Sequence, residues 1–218
     1  MNRRPALLAA AALTAVAALS LSACGSGDDS SKGNDKIAGA DTGSEASTSP
    51  TPSASTAVDR PKIKLPSDVT YDFAWKTTGN ADKDAVLRDV EQRVKAVDMA
   101  IADQDALDKA YLFYTEGTGA AGTQRYIQQY IDHKARTTGL TRFYNETVTV
   151  KDDGTASLVY CGDQSKAYNK YLKTGKTDVT PVTKNSYVIY ASVLRKTNNG
   201  VWVTERMTSQ RGSSKCQP

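Results

Sequence analysis

Cys161 closes the alternating run TASLVYC (155–161) and is followed at once by Gly162, Asp163, Gln164 and Ser165. A thiol with an acid, an amide and a hydroxyl behind it invites three readings: nucleophile, metal ligand, or half of a disulfide. A nucleophilic thiol needs a base, usually histidine, to draw off its proton, and the chain has 1 histidine, His133. A metal site needs spaced ligands, and no C-x-x-C or H-x-x-x-H spacing occurs. Two carboxylates alternate with apolar residues in the later part of the chain: Glu205, flanked by Val203 and Met207, and Glu146, flanked by Tyr144 and Val148. These two and His133 are the candidates for acid–base work. No spacing among them assigns catalysis, and no metal or cofactor is expected.

The setting of Cys161 is decided at the front of the chain. Arg3 and Arg4 precede an Ala-rich apolar run over residues 6–23, the pattern of a secretory signal over 1–23. Pro5 and Ala6 follow the arginine pair, which leaves both the general and the twin-arginine export routes open. Leu21-Ser22-Ala23-Cys24 at the end of the run resembles the lipobox of bacterial lipoproteins. That resemblance implies that Cys24 carries a diacylglycerol on its thiol and becomes the mature N-terminus. Two acyl chains anchor firmly, since each buried methylene adds about 0.8 kcal/mol.

Residues 24–60 are Gly, Ser, Thr, Ala, Asp and Pro with almost no large apolar side chain. Such a segment cannot bury a core and is expected to form a disordered tether, with a root-mean-square span of about 30–35 Å. The combination resembles the secreted lipoproteins of high-GC Gram-positive bacteria, held on the outer face of the cell membrane. Of the 3 cysteines, lipidation of Cys24 leaves Cys161 and Cys216 in an oxidising compartment, where a disulfide is the expected outcome. Closing so long a loop restricts the unfolded chain by about 4 kcal/mol. Asp163, Gln164 and Ser165 then read as turn chemistry. The formal charge of +4 loses the two positive charges of Arg3 and Arg4 on export, too weak a balance for a nucleic-acid partner.

Residues 65–218 are enough for a single α+β domain. Over 80–102 the apolar positions Val86, Leu87, Val90, Val94, Val97 and Ile101 predict an amphipathic helix capped by Asn80. Asp84–Arg88, Asp89–Arg93 and Glu91–Lys95 are read as i,i+4 pairs on its wet face. A second helix is expected over 104–115, stopped by Gly117 and Gly119, and a third over 121–137, stopped by Gly139. The period then becomes two. Residues 142–150 and 155–161 flank an Asp-Gly turn, and 185–197 and 200–208 flank Asn198-Asn199, so two hairpins are expected. The result is a set of N-terminal helices on a curved antiparallel sheet of about four strands.

This order of elements resembles the cone-shaped fold of the nuclear-transport-factor-2-like superfamily, relatives of ketosteroid isomerase and limonene-epoxide hydrolase, over about 70–210. YDFAW (71–75) is the candidate for an additional strand. The resemblance implies a pocket between sheet and helices, where an acid and a tyrosine can act together. Tyr126, Tyr130, Tyr168, Tyr171 and Tyr190 are the candidates for its wall or lid. Lys166, Lys170 and Lys173 are expected on one face of a short surface helix and, with Lys176, form a candidate contact with anionic cell-wall polymer or lipid. The expected function is a cell-surface lipoprotein whose domain binds a small molecule or a surface protein without catalysis. An isomerase- or hydrolase-type enzyme and a structural cell-wall protein are the alternatives. Cys24→Ser is expected to move the protein from the membrane to the soluble fraction; retention in the membrane would refute the anchor.

Overall fold

A computed structural model of the chain describes residues 58–218. The expected leader, Cys24 and most of the expected tether lie outside the described residues. Strand β1 (Val69–Phe73) precedes three helices, α1 (Ala81–Ala102), α2 (Lys109–Phe113) and α3 (Gly117–Asp132). Five strands follow: β2 (Ala135–Val150), β3 (Thr155–Tyr171), β4 (Thr177–Asp178), β5 (Tyr187–Lys196) and β6 (Trp202–Arg211). The expected α+β class and element order are present, with the helices packed against a curved sheet.

Local chemistry sets the helix ends. The Asn80 side chain accepts from the Lys83 backbone N–H, as an N-cap should. Helix α2 is shorter than the expected 104–115 because Asp105 and Asp108 accept from the backbone N–H groups of Leu107 and Ala110 and hold turns ahead of it. Gly117 does not end a helix but starts α3, at φ +54°. Gly119 meets β6 so closely that a Cβ would lie 2.7 Å from the Thr204 carbonyl oxygen. Helix α3 ends at the His133 cap rather than at 137, because Lys134 takes φ +49° and turns the chain into β2.

The sheet has six strands in the order β1-β2-β3-β5-β6, with β4 added beside β3. It is mixed rather than wholly antiparallel: β1 runs parallel to β2, from Val69 beside Gly139 to Phe73 beside Phe143. The largest departure from expectation is over 166–171, which is not a helix. This segment continues β3 and pairs with the start of β2, from Leu140↔Lys166 to Ala135↔Tyr171. The lysine spacing that suits a helix also contains the strand period 166, 168, 170, and the free edge of β2 supplies the hydrogen-bond partners. Asp163, Gln164 and Ser165 accordingly lie within β3, not in a turn.

Three register shifts bend the sheet. They fall at Gln164-Ser165 on β3, at Asn145-Glu146 on β2 with Asn145 at φ +53°, and at Glu205 on β6. Each extra residue adds local twist and reverses which side chains face inward beyond it.

Helix α1 packs against two clusters. Val86, Leu87 and Val90 join Leu158, Leu194 and Trp202 on the sheet, whereas Ala96, Met99 and Ala100 join Tyr111, Ile127 and Val203. Val58, Ile63 and Leu65 pack on the second cluster, so the folded part begins ahead of residue 65. The pairing of Asp89 with Arg93 on a wet face is not observed. Asp89 is 0% exposed and accepts from Arg60 Nη1 at 2.5 Å and from the Trp202 backbone N–H at 2.8 Å. Arg93 is also buried. The Glu91–Lys95 pair does form, at 2.5 Å. Cys161 and Cys216 are disulfide-bonded with Cα atoms 5.4 Å apart, and the Tyr144 hydroxyl donates to the Cys216 carbonyl.

Without Asp89 the buried Trp202 backbone N–H loses its acceptor, while Arg60, 29% exposed, can turn to water. Asp89→Ala is therefore expected to cost about 1–3 kcal/mol in denaturant unfolding; no measurable loss would show that Asp89 does not hold the N-terminal segment and β6 to α1.

Candidate functional site

Between the two clusters, Arg93, Val94, Val97 and Asp98 of α1 line one side of an open cavity of about 770 Å³, with the sheet and α3 forming other walls. A cavity of this size accommodates a drug-sized organic molecule.

One wall is aromatic. Tyr160 on β3 and Tyr190 on β5 sit directly opposite in the ladder, and their rings stack at 5.0 Å with 16° between planes. Phe143 meets both edge-on, at 5.7 and 6.2 Å. Gly162 permits this arrangement, since a Cβ there would lie 2.9 Å from Tyr190 Cε2. Gln164 Nε2 donates to the Tyr190 hydroxyl oxygen at 2.9 Å. On the opposite side Tyr126 and Tyr130, one turn apart on α3, place their hydroxyls 3.2 Å from each other.

Asp98 is the acid of the site. Its Oδ1 accepts from Thr137 Oγ1 at 3.1 Å, and Oδ2 accepts from the Tyr71 hydroxyl. Asp98 is half-buried in the cavity lining, and this burial pushes its carboxyl up to about 7 against the opposing hydrogen bond from Thr137. Burial also raises the Tyr160 hydroxyl to about 12 and holds Tyr126, Tyr130 and Tyr190 above the usual phenol value. At neutral pH the tyrosines are hydroxyl donors, as any phenol is, and the Asp98 carboxyl is held well above the usual carboxylate range. A carboxyl so placed can accept a hydrogen bond or move a proton.

Of the five tyrosines picked out by sequence, Tyr126, Tyr130, Tyr168 and Tyr190 line the cavity; Tyr171 is exposed on β3. The lysines do not share a helical face. Lys170 pairs with Asp68 at 2.8 Å, beside a two-pronged Arg136–Asp68 contact at 2.8 and 2.9 Å, and these cations hold the Asp68 carboxyl far below the usual range. Lys166, Lys173 and Lys176 are exposed. His133 is exposed at the α3 cap. Glu205, at the β6 bulge, lies 3.3 Å from Arg195, which also grips Glu116. Glu146 Oε1 accepts from the Lys76 backbone N–H at 2.8 Å. None of these three candidate acids and bases lines the cavity.

The residues that sequence reasoning missed are Asp98 and Arg93. Asp98 stands four residues after Val94 and three before Ile101, and Arg93 three after Val90 and four before Val97. Both therefore border the apolar stripe of α1, and that position was the available signal.

The unfolded chain releases the Asp98 proton near pH 4, whereas the folded chain holds it until about 7. Unfolding thus becomes easier as pH rises through this window and changes little outside it. Asp98→Asn is expected to match the wild type at pH 4 and to be more stable by about 2–4 kcal/mol at pH 8; equal stabilities at both pH values would refute the raised carboxyl.

No protein-family model matches the chain, and no curated protein does. Similar solved structures include a ketosteroid isomerase-like protein from Erwinia carotovora atroseptica, 13% identical, with 62% of this chain matched to 98% of that one at a TM-score of 0.43. Aln2 from a Streptomyces species is 16% identical, with 57% of this chain matched to 88% of that one at a TM-score of 0.40. The association domain of CaMKII from C. elegans is 16% identical, with 60% of this chain matched to 99% of that one at a TM-score of 0.35. These likenesses are in overall shape at low identity, so the chemistry of the cavity is read from its own residues.

Proposed function

We propose that the chain is an exported, lipid-anchored protein whose cavity binds an aromatic small molecule. The observation that carries this reading is the cavity of about 770 Å³ walled by Phe143 and by stacked and paired tyrosines. Aromatic side chains offer large contact area and ring-to-ring attraction of about 0.5–1.5 kcal/mol per pair beyond burial. Their hydroxyls, protonated at neutral pH, supply the few directed polar contacts that fix a ligand's orientation. The lipid anchor read at Cys24 and the segment that follows would hold this site beyond the outer face of the membrane.

A proton-transfer enzyme is the second reading, favoured by the place of Asp98 in the cavity lining, where burial pushes its carboxyl up to about 7. Under that reading Asp98 takes a proton from a bound carbon acid while a tyrosine hydroxyl donates to the oxygen that gains charge. The binding step is common to both readings.

N-Phenyl-1-naphthylamine, a neutral fluorescent aromatic amine, tests that step. One molecule is expected to bind per chain with a saturable rise in emission. Gly122 lies on the cavity face of α3, and a Cβ there meets no atom closer than the 4.0 Å of an Arg125 nitrogen. Gly122→Phe should therefore weaken binding at least tenfold while leaving the helix as stable or more so. Absence of saturable binding to the wild type would refute the proposal.

A further inference from the structure

Arg93 poses a problem that the aromatic wall does not answer. Its side chain lines the cavity and the residue is 4% exposed. Nη2 donates to Thr123 Oγ1 at 2.8 Å, but Nε has no partner. Among the described residues no carboxylate forms an ion pair with it. A buried cation without a counter-charge is costly. Burial lowers the Arg93 pKa, and the nearby Tyr160 and Tyr190 phenols oppose that shift. A guanidinium nevertheless keeps its charge under almost any condition.

The two ionisable groups of α1 differ in how they are satisfied. Asp98 already accepts from Thr137 and Tyr71, so it needs no ligand to complete it. Arg93 has one partner for a group with five donors. The two do not pair with each other, and the other charged residues of the lining, Asp178 and Arg211, form no ion pair with Arg93 either; Arg211 donates to the Asn185 carbonyl.

We infer that Arg93 receives an anionic group of the ligand, so that the cavity prefers an aromatic acid to a neutral compound with the same ring system. The inference rests on the reading of the cavity as a binding site and specifies its ligand class. The acid group, a carboxylate or a sulfonate, accepts from the unfilled Nη donors of Arg93, while the ring system lies against Tyr160, Tyr190 and Phe143. Thr123 fixes the guanidinium in this position; Nε is sealed in protein, and Nη1 together with the second N–H of Nη2 is left for the ligand.

Two probes with the same ring system separate the possibilities. 8-Anilinonaphthalene-1-sulfonate is N-phenyl-1-naphthylamine with a sulfonate added. The wild-type protein is expected to bind the sulfonate at least tenfold tighter than the neutral amine. Arg93→Met, which keeps length without charge, should abolish that preference and retain binding of the neutral amine. Arg93→Lys, which keeps charge without the fork, should retain part of the preference. Thermal unfolding of each variant identifies any that does not fold, and the wild-type preference stands as a test without them. Equal binding of both probes to the wild type, or an unchanged preference in Arg93→Met, overturns the inference and leaves the cavity reading intact. Failure of both probes to bind the wild type overturns both.

Discussion

A buried carboxylate fixes where α1 lies. Asp89 accepts from Arg60, which precedes the sheet in the chain, and from the backbone of Trp202, which opens its last strand. It is therefore a three-way joint between the N-terminal segment, the long helix and β6. Charges without access to water hold their geometry strictly, because any displacement leaves an unpaired donor or acceptor in a low-dielectric interior. Once Asp89 is set, helical rise places Arg93 about 6 Å and Asp98 about 13 Å further along the axis. The spacing of the ionisable groups in the cavity follows from that joint.

The cavity survives because its walls are built from elements that cannot close on it. The bulges at Gln164-Ser165, Asn145-Glu146 and Glu205 curve the sheet, while α1 is held at both ends by separate apolar clusters. Glycines give the close contacts at the margin: Gly162 admits the rings of Tyr190 and Phe143, and Gly119 admits α3 to the backbone of β6. Filling the space would require either flattening the sheet or parting α1 from one cluster. Both cost buried apolar area at roughly 25 cal/mol per Å².

Much of this was legible in the chain. Helix α1, its Asn80 cap, both hairpins and the pairing of Cys161 with Cys216 follow from period, turn residues and cysteine count. Four of the five candidate tyrosines also reach the cavity. What could not be read were outcomes of long-range partnership. Lys166, Lys170 and Lys173 suit a helix by spacing, yet 166–171 is a strand because the start of β2 lies beside it. Glu205 alternates with apolar neighbours, but a one-residue bulge at its own position turns it to Arg195. Asp89 and Arg93 have the spacing of a surface pair, and both are buried because their partners stand 29 and 30 residues away, at Arg60 and Thr123. Local rules are silent where an edge strand or a distant donor decides.

The two ends of the described chain are fastened differently, and this has a mechanical consequence. The C-terminal tail is tied covalently, through Cys216, to the back of the strand that carries Tyr160. The N-terminal end is held by the Arg60–Asp89 contact and by Val58, Ile63 and Leu65 lying on the second cluster. Tension applied through the chain ahead of Val58 is therefore met first by apolar packing and then by the Asp89 joint, which passes it to α1 and β6 together. The joint that spaces the cavity's ionisable groups is also the one that resists a pull.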